Sequence, residues 1–226
     1  MEYITSSLKI LYDKVSNIIL PDVGFRDDNH MYDDNNDNND NHDDKFIDKE
    51  PTFTNVSESD IICESRHYRV FPKISSIEQM KWFYGEPTHI IDNLYIGSAF
   101  NAANKYILDK YNIKYIINVT EDISNYYPND IHYVNYKLKD NNKESIIKYF
   151  KHSYKKIKEF QKRNDGNILI HCFMGASRSA TILAYYVMLK ENKSPMEAYH
   201  SLRSKRHIVN PTKLLCKELK KSHKNI

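Results

Sequence analysis

The pattern of apolar and polar positions changes character twice along this 226-residue chain. Over residues 2–20, Ile4, Leu8, Leu11, Val15 and Ile18 recur at three- and four-residue spacing, which predicts an amphipathic helix. It could pack on the rest of the chain, bind a partner or pair with its own copy. From Asp27 to Asp44 the pattern disappears, and eight Asp and six Asn fill eighteen positions. Such a tract cannot bury enough apolar surface to offset the entropy of ordering, so disorder is expected. A calcium loop is not: Asp33, Asn35, Asp37 and Asp44 have suitable spacing, but Asn38 stands where the turn wants Gly. Residues 45–87 read as a mixed linker whose closing aromatic trio, Trp82-Phe83-Tyr84, should lie against the domain C-terminal to it.

From residue 88 the patterning is dense. Ile90 to Ser98 reads as a short strand pair with a helix cap, and Ala102 to Tyr111 as a helix. Tyr115 to Val119 is a β-rich buried strand, and His132 to Leu138 alternates as another. Ile147, Phe150, Tyr154 and Ile157 mark one helix face, with lysines largely off it. Ile168-Leu169-Ile170 is a buried strand, and Ala180 to Leu189 a buried helix. Ser194-Pro195-Met196-Glu197 forms a capping box, and Asn210-Pro211 is expected to open the last helix in the same way. Strands alternating with helices predict an α/β fold: a central, mostly parallel sheet with helices on both faces. The expected organisation is an N-terminal extension over 1–87 and a folded domain over 88–226.

Between that last strand and its helix lies His171-Cys172-Phe173-Met174-Gly175-Ala176-Ser177-Arg178-Ser179. A tight strand-to-helix loop aims successive N–H groups and the positive helix end into one concavity, which suits a phosphate dianion. The same surroundings favour the thiolate of Cys172, the nucleophilic form. Arg178 offers a planar fork for two phosphate oxygens.

The string His-Cys-x-x-Gly-x-Ser-Arg-Ser resembles the signature loop of cysteine-dependent tyrosine phosphatases, and its ending resembles their dual-specificity branch. Leu94 to Ser98 and Ile117 to Thr120 resemble two further motifs of that family, so the resemblance covers about residues 88–220. It implies a protein phosphatase acting on phosphotyrosine and phosphoserine or phosphothreonine through a phosphocysteine on Cys172. Phe173, Met174, Gly175, Ala176, Ser177 and Arg178 would bind the phosphate, Ser179 would assist sulfur departure, and His171 would support the loop. It also implies an Asp general acid about thirty residues before the cysteine. Asp140 has that spacing and follows a strand, whereas Asp130 precedes one. Family members often carry Pro-Asn before the final helix; here Thr212 follows Pro211.

Charge sharpens the picture. Residues 1–87 carry 9 Lys and Arg against 18 Asp and Glu, and residues 88–226 carry 24 against 12. An acidic arm therefore precedes a basic domain. Basic character keeps RNA 5′-phosphates and phosphoinositides open as alternative substrates, but the uncharged Phe173, Met174 and Ala176 argue against phosphoinositides. No basic-aromatic RNA motif is present, so nucleic acid is not expected as a partner. A non-catalytic phosphoprotein scaffold is the reading from another class, and the retained Cys172 and Arg178 count against it. Three cysteines at unrelated spacings give no disulfide framework or zinc pattern, and no metal or cofactor is expected. With no apolar run long enough to span a bilayer, the protein is expected in the cytoplasm, the nucleus staying open, with phosphoproteins as substrates and residues 2–20 available for self-association or partner binding.

Overall fold

The computed structural model describes residues 71, 74–139 and 144–224. The expected helix over 2–20, the Asp/Asn tract and Asp140 lie outside the described residues. The first helix, α1 (Ser76–Tyr84), is capped by the Ser75 hydroxyl, which accepts from the Glu78 N–H. A hairpin of β1 (Thr88–Ile91) and β2 (Leu94–Gly97) comes next. The short helices α2 (Ala99–Ala103) and α3 (Lys105–Lys110) lead to β3 (Ile113–Asn118) and β4 (His132–Asn135). The remainder is α4 (Ile147–Arg163), β5 (Asn167–His171), α5 (Arg178–Glu191), α6 (Pro195–Lys205) and α7 (Lys213–His223).

The five strands order as β1-β2-β5-β3-β4, all parallel except the β1–β2 pair. β5 is central and alternates between two cores, as a strand buried on both faces must. Ile168 and Ile170 join a core built with α4, α5, α6 and α7, while Leu169 faces Ala102 and Leu108 of α2 and α3. α5 is apolar all round because it lies beneath that larger core, with every residue from Arg178 to Met188 buried. At 14 residues it is short, and no helix among the described residues is long and apolar enough to cross a membrane.

Three boundaries differ from the sequence expectation. The helix expected over 102–111 is two helices, because the Asn104 side chain caps a fresh start by accepting from the Ile107 N–H at 3.3 Å. β4 stops at Asn135 although the alternation runs on through buried Tyr136 and Leu138. Its partner β3 has ended, and only the Tyr136 N–H to Asn118 carbonyl bond (2.8 Å) continues the ladder. The last helix is capped by Thr212, whose hydroxyl accepts from the Leu215 N–H, and not by Asn210. The Asn210 side chain is engaged elsewhere, on Phe71.

Candidate active site

The site stands beyond the carboxyl end of β5, where parallel sheets place ligands. Cys172 to Ser177 turn tightly from the strand into α5, and the turn requires Gly175 at φ +69°. A Cβ there would sit 2.3 Å from the Gly97 carbonyl oxygen, so β2 itself forbids a side chain.

What aims the loop amides is visible on its outer side. A trans peptide points its C=O and N–H in opposite directions, so a carbonyl held from behind directs the next N–H into the cradle. The Phe173 carbonyl accepts from the Ala99 N–H (2.9 Å) and the Met174 carbonyl from Arg206 Nη2 (3.1 Å). The Gly175 carbonyl accepts from Arg206 Nε (3.0 Å) and the Ala176 carbonyl from the Asn210 N–H (2.8 Å). Four consecutive carbonyls are thus held outward, and the N–H groups of residues 174–177 face the opposite way.

Arg206 is fully buried and also donates to the Trp82 carbonyl and the Thr88 hydroxyl. Burial pulls its pKa down to about 10, against a smaller opposing effect of Cys172, which leaves it charged at neutral pH. Sequence reasoning misses this residue, whose only signal along the chain is a charged position closing an otherwise amphipathic helix. It misses Ser98 and Asn101 as supports too. The Ser98 hydroxyl donates to the Phe83 carbonyl (2.6 Å), and Asn101 Nδ2 to the Gly85 carbonyl (2.7 Å), tying α1 to the start of α2.

Within the cradle, Cys172 and Arg178 are both buried, and Ser179 Oγ–H donates to Cys172 Sγ at 3.2 Å. Burial alone would push the thiol up. The Arg178 charge, then the Ser179 hydroxyl and the Ser179 and Ala176 N–H groups outweigh it and hold the thiol below the ordinary cysteine value. Arg178 Nη1 donates to the Leu138 carbonyl at 2.9 Å, which draws the chain after β4 to the rim of the cradle. His171 is fully buried behind the loop, and its Nδ1–H donates to the Cys172 carbonyl at 3.3 Å. Burial lowers its pKa to about 4, so it is neutral near pH 7. The loop's apolar positions extend into a wall: Phe173 packs with Phe83 (ring centroids 5.4 Å apart), and Met174 joins Tyr84, Phe100 and Tyr126 around it.

The structure therefore brings together His171, Cys172, residues 173–177, Arg178 and Ser179. Asp140 lies outside the described residues. Asp130 is exposed just before β4, at the opposite end of the parallel sheet from Cys172. Among the described residues, no group of three or more His, Cys, Asp or Glu side chains could hold a metal ion.

A buried cysteine and arginine sharing a strand-to-helix turn of outward-braced carbonyls make a cradle whose chemistry suits an oxyanion. The chain belongs to the dual specificity phosphatase catalytic-domain family, whose sequence profile matches residues 94–225. It is 38% identical over 127 residues to human protein phosphatase Slingshot homolog 1, covering 56% of this chain and 12% of that protein. It is 32% identical over 140 residues to Arabidopsis thaliana dual specificity protein phosphatase 1, covering 62% of this chain and 70% of that protein. The chain thus spans only a small part of the Slingshot relatives' length. In fold it is similar to human DUSP28, with TM-score 0.58, 20% identity and coverage of 62% of this chain and 95% of that one. The DUSP15 structure has TM-score 0.55 at 29% identity, covering 60% of this chain and 86% of that one.

Proposed function

We propose that this chain hydrolyses phosphotyrosine and phosphoserine or phosphothreonine monoesters on proteins, with Cys172 as nucleophile. The observation that carries this reading is the loop itself, where a thiol held below its ordinary pKa lies among outward-braced carbonyls and beside Arg178. Residues 88–226 form the catalytic domain in this reading, and 1–87 an extension to it.

The Cys172 thiolate attacks phosphorus while the bond to the leaving oxygen breaks. Asp140 gives its proton to that oxygen, so the product leaves as an alcohol or phenol. Water then attacks the phosphocysteine, Asp140 takes the proton back, and the P–S bond breaks to return the thiolate and inorganic phosphate. Ser179 eases the last step by donating to the departing sulfur. Arg178 and the loop amides hold the three equatorial oxygens as charge develops on them. Support for Asp140 is that Leu138, two residues earlier, is bonded to Arg178. The cradle's donors are amides, a hydroxyl and a guanidinium, which suit an anion, and its one thiolate has no second ligand beside it among the described residues, so the reading needs no metal. A nucleophilic thiolate works in a reducing compartment, here the cytoplasm.

The test is turnover of phosphotyrosine, phosphoserine and phosphothreonine peptides beside phosphoinositides and triphosphorylated RNA. Cys172→Ser should abolish all turnover while retaining substrate affinity. Asp140→Asn should lower kcat by about 10²–10⁴ on peptides and far less on an activated aryl phosphate. Turnover confined to RNA or lipid, or residual activity in Cys172→Ser above about a hundredth of wild type, overturns the reading.

A further inference from the structure

Of the four contacts that brace the loop carbonyls, three come from residues deep in the fold: one from Ala99 and two from Arg206. The fourth, from Asn210, is different. Asn210 is only half-buried, and its side chain is clasped by a residue 139 positions earlier. Its Oδ1 accepts from the Phe71 N–H at 2.9 Å, and its Nδ2 donates to the Phe71 carbonyl at 2.9 Å. The amide therefore pairs with the backbone of Phe71 as a neighbouring strand would. The Phe71 ring is gripped as well, with the Arg203 guanidinium 4.5 Å over its face and His200 edge-on at 5.3 Å. Arg203 in turn donates to the carbonyl of Val209, the residue before Asn210.

We propose that Asn210 is a positioning residue, through which the docking of Phe71 sets the aim of the Ser177 N–H in the phosphate cradle. The inference rests on the phosphatase reading and concerns regulation of the same site. Its logic is a single chain of contacts. Phe71 holds the Asn210 side chain; the Asn210 N–H holds the Ala176 carbonyl at 2.8 Å; that carbonyl shares a peptide plane with the Ser177 N–H. A release of Phe71 frees one edge of this chain and lets the Ala176–Ser177 plane rotate. Binding of the anion and docking of Phe71 then favour each other by the same factor, as linkage requires. The segment that precedes the catalytic domain so acquires a direct hold on oxyanion affinity without entering the site.

The experiment uses the full chain, with inorganic phosphate as probe and the fluorescence of Trp82, the chain's one tryptophan, as readout. Trp82 lies beside Arg206, so it reports on the cradle whether or not an ester is turned over. Asn210→Ala and Phe71→Ala should each weaken phosphate binding by about three- to tenfold, the range for losing one or two net hydrogen bonds. With p-nitrophenyl phosphate the loss should appear in KM as well as in kcat, because the Ser177 N–H holds both the bound dianion and the charge that develops on it. The double variant should bind no worse than the weaker single one, since both changes open the same clasp. Thr212→Ala is the control: it removes the cap of α7 and should lower Tm with phosphate binding unchanged. Should Asn210→Ala fail to fold, Asn210→Asp keeps the acceptor, loses the donor to the Phe71 carbonyl, and makes the same comparison. Phosphate affinity equal to wild type in both single variants, or losses that multiply in the double variant, overturns the proposal. A wild type that binds phosphate but hydrolyses no ester would refute the catalytic reading while the titrations still decide the clasp.

Discussion

At the scale of single residues, the site sets two titratable groups side by side and moves their pKa values by different causes. Cys172 is buried, yet neighbouring positive charge and hydrogen-bond donors hold its thiol down. For His171, one residue earlier, burial outweighs the hydrogen bond to the Cys172 carbonyl and, with the Arg178 charge adding to it, lowers the pKa to about 4 from the ordinary 6.5. It therefore serves as a neutral brace for the Cys172 carbonyl and not as a proton carrier at neutral pH. The stability consequence has a definite sign. Between about pH 4 and 6.5 the unfolded chain binds a proton on His171 that the folded chain refuses, so this residue makes stability rise with pH across that window. Denaturant unfolding at intervals from pH 4 to 7 should show a steeper pH dependence in the wild type than in His171→Asn. Carboxylates lowered in the fold, such as Asp92 and Glu197, lose their contribution as pH falls through and below their ordinary values of 3.8 and 4.5, and they do so equally in wild type and variant. An unchanged slope between pH 4.5 and 6.5 in the variant would mean that His171 titrates normally.

At the scale of elements, what the sequence announces and what it hides divide by distance along the chain. The strand, loop and helix of the site lie within twenty-odd consecutive residues, and their apolar runs and Gly175 can be read directly. The braces cannot. Arg206 reaches loop carbonyls 31 and 32 positions away, and Asn210 finds Phe71 across 139. No local pattern distinguishes such residues from a solvated arginine or an ordinary helix cap, which is why the sequence points to Asn210 as the start of the last helix. β4 shows the converse, since alternation persists past the point where its partner strand ends. Gly175 joins the two levels, being legible as a turn residue while its close approach to β2 is not. Gly175→Ala must hold a side chain at positive φ and push a methyl group against the Gly97 carbonyl, so both the loop and β2 have to shift. The expected result is a lower Tm, with phosphate binding weakened by about tenfold or more as the N–H groups lose their common focus. Calorimetry and the Trp82 titration would register these, and a variant with unchanged phosphate affinity would show that the loop tolerates a different turn.

At the scale of the whole molecule, the dominant feature is the division of charge. Residues 1–64 carry 5 Lys and Arg against 16 Asp and Glu, and residues 65–226 carry 28 against 14. Tethering so acidic a segment to so basic a remainder is expected to raise its effective concentration near basic side chains, where it would compete with anionic substrates. The competition is between exposed charges and is therefore screened, over about 10 Å at 0.1 M salt and about 3 Å at 1 M. The cut must respect the fold. Removing residues 1–87 would take away Phe83, which is fully buried against the loop, and Phe71, which is clasped by Asn210. Removing residues 1–64 spares both. That deletion should leave kcat for a small aryl phosphate nearly unchanged and should lower KM for an acidic phosphopeptide at low salt. The two forms should converge as salt approaches 1 M, where long-range attraction no longer distinguishes them. If residues 2–20 instead pair two protomers, the deletion would turn a dimer into a monomer in sizing experiments and leave the salt dependence intact. A deletion that remains folded and shows the full-length KM for the acidic phosphopeptide at low salt would rule out the acidic arm as a competitor for the substrate surface.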